Sequence, residues 1–250
     1  KENNMHVNLP IVICFAGGAG GSFVSSALRS ALFDHKLKLS DSGNSHYNNS
    51  QTHFNPSDSI EGIQGELDTI KQLSLTDNDA IINGHYKNLV ALQSVHPQLW
   101  FIKITHNTGS EEQCNLLYQL SHNKGGKLPC NNVNNFYQEE FLRWMPAYQK
   151  QYWPESFEDM ANELKNPNSK VSEFVRNNSL YTSKTWYWIE NVNTRKRTIE
   201  LDLRDIFLEK ISTKLNNWFD KDICDKLDRQ QEEYQTLNHS LFPQIKEVLQ

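Results

Sequence analysis

The sequence of 250 residues contains no long hydrophobic run. Its longest apolar stretch, Leu9–Ala16, has the length of a β-strand, whereas a membrane-spanning helix needs about 20 apolar residues. The first four residues are polar and lack the apolar core of a signal peptide. We therefore expect a protein without a membrane span.

Cysteine is scarce and dispersed. No two cysteines form a CxxC pair, so neither a zinc site nor a disulfide framework is indicated. We expect a reduced, cytoplasmic protein that needs no metal. The four cysteines are Cys14, Cys114, Cys130 and Cys224.

The sequence also lacks an excess of positive charge. Its formal net charge is −5, and a duplex nucleic-acid binder would need a basic face to neutralise phosphates. The charge argues against a nucleic-acid partner, but it leaves room for a local basic pocket that binds a small anion.

Apolar segments alternate with helical patterns along the chain. Residues 8–16 are apolar and β-branched without alternation, as in a strand buried on both faces of a parallel sheet. Strands at 79–82, 98–105 and 198–203 are separated by helical stretches, which indicates a doubly wound α/β sheet. Ligands bind such sheets at the carboxyl ends of the strands. Those ends are Gly17–Ser22, Asn83–Tyr86 and Thr105–Ser110.

We predict one domain spanning residues 1–250. Residues 38–58 are rich in Ser, Asn, Asp and His and are expected to form a mobile loop. Residues 122–191 are expected to form a helical cap insertion. Its predicted helices are Phe136–Lys150, Ser156–Lys165 and Val171–Asn191, and two more, Asp205–Phe219 and Lys221–Leu249, close the chain.

Four of the five residues at 17–21 are glycine, between the first strand and a helix at Ser22–Phe33. A helix N-terminus presents free N–H groups that favour an anion, and glycine lets the ligand approach the backbone. Ser22 is placed to donate its hydroxyl to a phosphate oxygen. A plain strand–helix turn is the alternative. The turn is not a Walker A motif, because Gly21 stands where that motif has lysine, and this counts against a kinase.

These pieces, in this order, resemble the sulfotransferases that use 3′-phosphoadenosine 5′-phosphosulfate (PAPS). Residues 18–23 lie where that family has a PKSGTT loop around the 5′-phosphosulfate; Gly21 and Ser22 match, and Ala19 replaces a basic residue. The resemblance implies a P-loop-like three-layer sandwich with a central parallel sheet. The donor-binding residues that it implies are Gly17, Gly18, Ala19, Gly20, Gly21, Ser22, Phe23, His106, Asn107, Cys114 and Tyr181.

The second and third strand ends carry the rest of the resemblance. His85 falls where the family has its catalytic base, and its near-neutral pKa suits that role; a turn histidine is the alternative. His106 and Asn107 follow a strand as the family's RNP does, with His106 in place of the arginine that binds the 3′-phosphate. Cys114 stands where the family has a serine that also contacts the 3′-phosphate.

A third patch lies near the C-terminal strand. Tyr181 falls where a family tyrosine meets the adenine, and Asp205-Ile206-Phe207 matches an acidic segment after the strand. Two other features have a simpler interpretation. Ser110 is expected to cap a helix, with Gln113 at the third position of a capping box. The basic run 195–197 is expected to be solvated turn charges, and contact with a 3′-phosphate or an acidic acceptor is the alternative.

Taken together, the resemblance implies an enzyme that transfers a sulfuryl group from PAPS to a hydroxyl or amine of a small-molecule or glycan acceptor. The acceptor pocket is expected in the variable segments 38–58 and 122–165. Two alternatives remain open: a P-loop small-molecule kinase or other phosphotransferase, and a noncatalytic nucleotide-binding protein.

Overall fold

The computed structural model describes residues 10–33, 53–54, 81–84, 99–122, 159, 162–163, 166, 168–178 and 197–250. Within these ranges, the strands form one sheet in which every neighbouring pair is parallel, in the order β2-β3-β1-β4-β5. The prediction of an α/β fold around a parallel sheet is therefore confirmed. The strands are β1 Ile11–Cys14, β2 His53–Phe54, β3 Ile81–Gly84, β4 Trp100–Thr105 and β5 Thr198–Asp202.

Helices connect and cover these strands. Helix α1 follows β1 directly, α2 follows β4, and four helices follow β5 to the end of the chain. Their bounds are α1 Gly21–Phe33, α2 Glu111–His122, α3 Lys170–Asn178, α4 Leu203–Phe207, α5 Ser212–Leu215, α6 Lys221–Leu241 and α7 Ile245–Leu249.

One face of the sheet forms the main hydrophobic core. Ile13 of β1 pairs in register with Ile102 of β4. Because side chains alternate along a strand, Ile11 and Ile13 share a face with Ile102 and Ile104. These residues are buried against α1 and the C-terminal helices. A slip of one residue would carry this apolar set to the other face, so burial fixes the register.

The register aligns the carboxyl ends of the inner strands. Cys14, the last residue of β1, pairs with Gly84, the last residue of β3, and with Lys103 of β4. The chain leaves β1 towards the β2–β3 side and leaves β4 towards β5. The gap between β1 and β4 is therefore the topological switch point, where ligands bind in open α/β sheets.

The helix predicted at Asp205–Phe219 is wrong, because the structure divides this segment. Asp202 ends β5 and caps α4, so the helix begins at Leu203. Helix α4 ends after five residues, because the side chain of Gln231 donates to the carbonyls of Asp205 and Ile206 at 2.5 and 2.9 Å. The two carbonyls thus accept hydrogen bonds from a distant side chain, and not from N–H groups of a further helical turn.

The single helix predicted at Lys221–Leu249 is also interrupted. Helix α6 ends at Leu241, and Phe242 has φ −133°. Pro243 follows, lacks an N–H and cannot continue a helix, so α7 begins only at Ile245. Within the segment 38–58, predicted to be a loop, His53 and Phe54 form β2. Of the predicted cap, α3 is described; most of the rest of both segments lies outside the described residues.

Candidate functional site at the carboxyl edge of the sheet

The turn between β1 and α1 reverses the chain within a few residues. The N–H of Ala19 donates to the carbonyl of Ala16 at 3.0 Å, and the N–H of Val24 donates to the carbonyl of Gly20 at 3.0 Å. Gly18 and Gly20 have φ values of 80° and 81°, a region that side chains other than glycine rarely adopt. The glycine pattern in the sequence is therefore explained first by this backbone path.

The exposed part of the turn is mostly backbone. Gly17, Gly18, Gly20 and Ser22 are half-buried, whereas Gly21 is buried. Because the first helical hydrogen bond comes from Val24, the N–H groups just before it have no acceptor inside the helix. Together with the helix dipole, these donors favour an anion.

Two residues of the predicted binding loop direct their side chains into the core. Ala19 and Phe23 are fully buried. The ring of Phe23 stacks on that of Tyr234, with centroids 4.1 Å apart and planes 9° apart. The N–H of Ala19 already has an acceptor within the turn. Of these two residues, therefore, only Phe23 has a backbone N–H that is available to a ligand.

Tight packing beneath the turn also requires glycine. A β-carbon on Gly20 would lie 2.6 Å from Cγ2 of Ile206, and one on Gly21 would lie 2.0 Å from the ring of Phe15. Packing alone accounts for glycine at these two positions. The ligand interpretation depends on the exposed backbone of the turn and on its place at the switch point.

A cavity of about 320 Å³ lies at the same edge, between the ends of β4 and β5. His106 is buried beside it and Asn107 is exposed. The structure thus brings together these two residues, predicted to contact the 3′-phosphate. The lining residues are Thr105, His106, Asn107, Gln113, Glu200, Asp202, Leu203, Arg204 and Leu249.

Asn107 organises the start of α2. Its Oδ1 accepts from the N–H of Gly109 at 3.0 Å, and its own N–H donates to Oε1 of Gln113 at 2.9 Å. Ser110 caps the helix as predicted, because its hydroxyl accepts from the N–H of Gln113 at 3.2 Å. The reciprocal bond of a capping box is different here, since the Gln113 side chain bonds to Asn107 and not to Ser110.

Cys114 lies in the core and not in the cavity. It is fully buried, and its Sγ lies 4.0 Å from the Asn107 carbonyl and 3.8 Å from that of Thr108. To contact the 3′-phosphate as predicted, the side chain of Cys114 would have to face the ligand. Cys114 therefore takes no part in the site proposed below.

The cavity carries charges of both signs. The Asp202 carboxylate is occupied by the N–H groups of Arg204 and Asp205. Glu200 lies 3.2 Å from Nζ of Lys103, and its other oxygen accepts from the Thr105 hydroxyl at 3.3 Å. Among the described lining residues, His106 and Arg204 are the ones able to carry positive charge.

Lys103, a buried residue of β4, was not among the predicted site residues. Lys103 is 4 % exposed and pairs in register with Cys14 at the end of β1. Burial raises the pKa of Cys14, and the positive charge of Lys103 opposes that rise. The available signal was one charged residue inside the apolar stretch 98–105.

Several predicted residues cannot be placed at this edge. His85 and Tyr181 lie outside the described residues; β3 ends at Gly84, the residue before His85. The basic run is described only at Arg197, whose guanidinium lies 5.7 Å from the ring of Trp100. Since Trp100 begins β4, Arg197 lies at the edge opposite the glycine turn.

Comparisons with protein-family models, with curated proteins and with solved structures find no match to this chain. Over the ranges that the structure describes, no helix has both the length and the apolar character needed to cross a membrane.

Proposed function

We propose that the turn between β1 and α1 binds the 5′-phosphosulfate of PAPS and that the protein is a sulfotransferase. The observation that carries the proposal is the position of a half-buried glycine turn, which opens a 13-residue helix, at the switch point of a parallel sheet. Anions bind at this point because backbone donors and the helix dipole converge there.

The fit of the donor depends on where positive charge comes from. Ala19 leaves the turn without the basic residue that the resembled family has there. Lys103 is a candidate to replace that basic residue. Lys103 lies on β4, the strand beside β1, where it pairs with Cys14 and is buried on the same face of the sheet as Cys14. Glu200 competes for this cation at 3.2 Å, so a bound anion would share Lys103 with Glu200.

In the proposed reaction, the bond between sulfur and the bridging phosphate oxygen breaks and a bond from sulfur to the acceptor oxygen or nitrogen forms. Catalysis of such a displacement depends mainly on positioning and electrostatics. N–H groups at the start of α1 and the Ser22 hydroxyl would hold the donor oxygens. His85 would take the acceptor's proton, and His106 and Asn107 would contact the 3′-phosphate.

The proposal is tested by isothermal titration with 3′-phosphoadenosine 5′-phosphate, with ATP–Mg²⁺ in parallel. The key variant is Ser22→Glu. A carboxylate in the first turn stabilises a helix but repels an anion at the same place. We expect micromolar binding by the unaltered chain and a loss of at least tenfold in Ser22→Glu, with no loss of thermal stability.

The matched control is Thr236→Glu, which adds the same charge on the exposed surface of α6. It should bind like the unaltered chain. Equal binding by Ser22→Glu, or preference for ATP–Mg²⁺, would contradict the proposal. Binding without consumption of PAPS in an acceptor screen would leave a noncatalytic nucleotide-binding protein. If turnover is found, a folded His85→Ala variant that keeps its rate would remove His85 as the base.

A further inference from the structure

Arg204 brings a permanent positive charge to the cavity between the ends of β4 and β5. It belongs to the first turn of α4 and lines this cavity together with His106 and Asn107. Histidine is charged only when it is protonated, whereas the arginine guanidinium is charged throughout the physiological pH range. Among the described lining residues, Arg204 is therefore the one whose positive charge does not depend on pH.

The contacts that the Arg204 guanidinium makes are weak. Its Nη1 donates to the carbonyl of Gln250 at 3.3 Å, and its Nη2 lies 3.5 Å from Oε1 of Glu209. The side chains of Arg204 and Glu209 are 49 % and 52 % exposed, and ion pairs between such exposed groups add little stability. The guanidinium can therefore turn towards a ligand, and its fork of N–H groups matches the oxygens of a phosphate.

Two amide side chains add donors to the same cavity. Oδ1 of Asn107 accepts from the N–H of Gly109 at 3.0 Å, and Oε1 of Gln113 accepts from the N–H of Asn107 at 2.9 Å. These bonds fix both amide oxygens within the loop before α2, and each amide nitrogen carries two N–H groups of its own. Because both residues line the cavity, a ligand rich in acceptor oxygens suits it.

The two carboxylates of the cavity are already engaged within the fold. Glu200 lies 3.2 Å from Nζ of Lys103, so a buried cation balances its charge. Oδ1 of Asp202 accepts from the backbone N–H groups of Arg204 and Asp205 at 2.8 and 3.1 Å. These contacts weaken the repulsion that either carboxylate would exert on an anion in the cavity.

We propose that this cavity binds a phosphate monoester and that Arg204 is its specificity-determining residue. The inference rests on the proposed function where the monoester is the 3′-phosphate of the sulfuryl donor; a free phosphate ion offers the same chemistry. The cavity, at about 320 Å³, has the size of a small-molecule site. The resemblance places the 3′-phosphate contacts after β4, and Arg204 adds one from the segment after β5.

The preference for a 3′-phosphate tests the inference. Isothermal titration compares 3′-phosphoadenosine 5′-phosphate with adenosine 5′-phosphate, which lacks the 3′-phosphate. The unaltered chain should bind the bisphosphate at least tenfold more tightly. Arg204→Gln should lower the affinity for the bisphosphate at least tenfold and leave that for the monophosphate within about twofold. The control is Arg229→Gln, which removes an exposed arginine of α6 that bonds to its own helix at Asp225; both affinities should stay unchanged.

The outcomes separate the two proposals. If the unaltered chain binds both nucleotides equally, or if Arg204→Gln weakens both to the same extent, the role of Arg204 is wrong and the proposed function stands. If the unaltered chain binds neither nucleotide, the proposed function is wrong and inorganic phosphate becomes the probe. Saturable phosphate binding that Arg204→Gln lowers would then support the cavity as a phosphate site, and no binding would overturn it.

If Arg204→Gln does not fold, Asn107→Asp replaces it. This variant keeps an acceptor for the N–H of Gly109 but puts a negative charge in place of the amide donors. It should lower the affinity for the bisphosphate at least tenfold and leave that for the monophosphate unchanged. An unaltered preference for the 3′-phosphate in this variant would overturn the inference.

Discussion

The ring of Phe15, the first residue after β1, occupies the space where a β-carbon would stand on Gly21, the first residue of α1. A β-carbon at Gly21 would come within 2.0 Å of that ring. Phe15 is buried, so its ring has little room to move aside. This packing joins the end of the strand to the start of the helix across the turn.

Gly21→Ala should therefore destabilise the fold by about 1–3 kcal/mol, the usual cost of overpacking a buried site. Urea unfolding measures this change. Gly109→Ala is the control, because its β-carbon would meet only Oδ1 of Asn107, at 3.3 Å; its effect should stay within about 0.5 kcal/mol. In the double variant with Phe15→Leu, the two costs should be less than additive by at least about 0.5 kcal/mol. Strict additivity would mean that the ring contact is not the cause.

Gln231 joins α6 to the two short helices before it. Its Nε2 donates to the carbonyls of Asp205 and Ile206, and its Oε1 accepts from the N–H of Ile211 at 2.9 Å. Gln231→Ala removes these bonds from the Asp205 carbonyl and the Ile211 N–H, whereas the Ile206 carbonyl keeps its bond from Gln235. The loss should cost about 2–4 kcal/mol in urea unfolding.

Gln235→Ala is the variant with which the loss of stability in Gln231→Ala is compared. Gln235 lies one turn further along α6, is half-buried and also bonds to two carbonyls, of Ile206 and Glu209. Water can replace a partner at this more accessible site, so the loss should be clearly smaller. Equal losses in the two variants would show that burial does not determine the cost.

His239 should make stability depend on pH. Burial lowers the pKa of His239, the hydrogen bond from its ring to the Phe207 carbonyl raises it, and Lys246 lowers it, with a net decrease. The unfolded chain then binds more protons than the folded chain between the folded and unfolded pKa values, so stability rises with pH through this window. The contribution of His239 to stability is fully present above about pH 6.5, the pKa of histidine in the unfolded chain, and is lost on acidification.

The measurement is the free energy of unfolding at several pH values between 7.5 and 5, with His239→Gln as the comparison. The variant keeps a donor for the Phe207 carbonyl but does not titrate. The unaltered chain should lose more stability on acidification than the variant does. Parallel pH curves would exclude His239 as the source.

The sequence predicted the sheet because its strands are short, apolar and β-branched, and the turn because glycine is concentrated directly after one of them. The division of the C-terminal helices depended on a long-range contact. Gln231 lies 25 and 26 residues from the carbonyls that it binds, and local pattern carries no information about that pairing. Pro243, in contrast, was a local signal that the prediction of one helix at 221–249 overlooked.

The candidate site was predictable in position but not in detail. Cys114 was assigned by its place in a resemblance, although it shares a helical stripe with Leu117 and Leu120, and all three are buried. That spacing favoured a core residue. The stacking of Tyr234 on Phe23 carried no signal in the sequence, because only the fold brings the end of the chain beneath the first turn.

The central claim, that the turn between β1 and α1 holds a nucleotide's anion, is tested most directly by amide NMR of the ¹⁵N-labelled chain during titration with 3′-phosphoadenosine 5′-phosphate. The account predicts the largest shifts at the backbone N–H groups of Gly20, Gly21, Ser22 and Phe23, because these donors would bond to the anion. Shifts confined to His106, Asn107 and their neighbours, or no saturable shift at all, would contradict it.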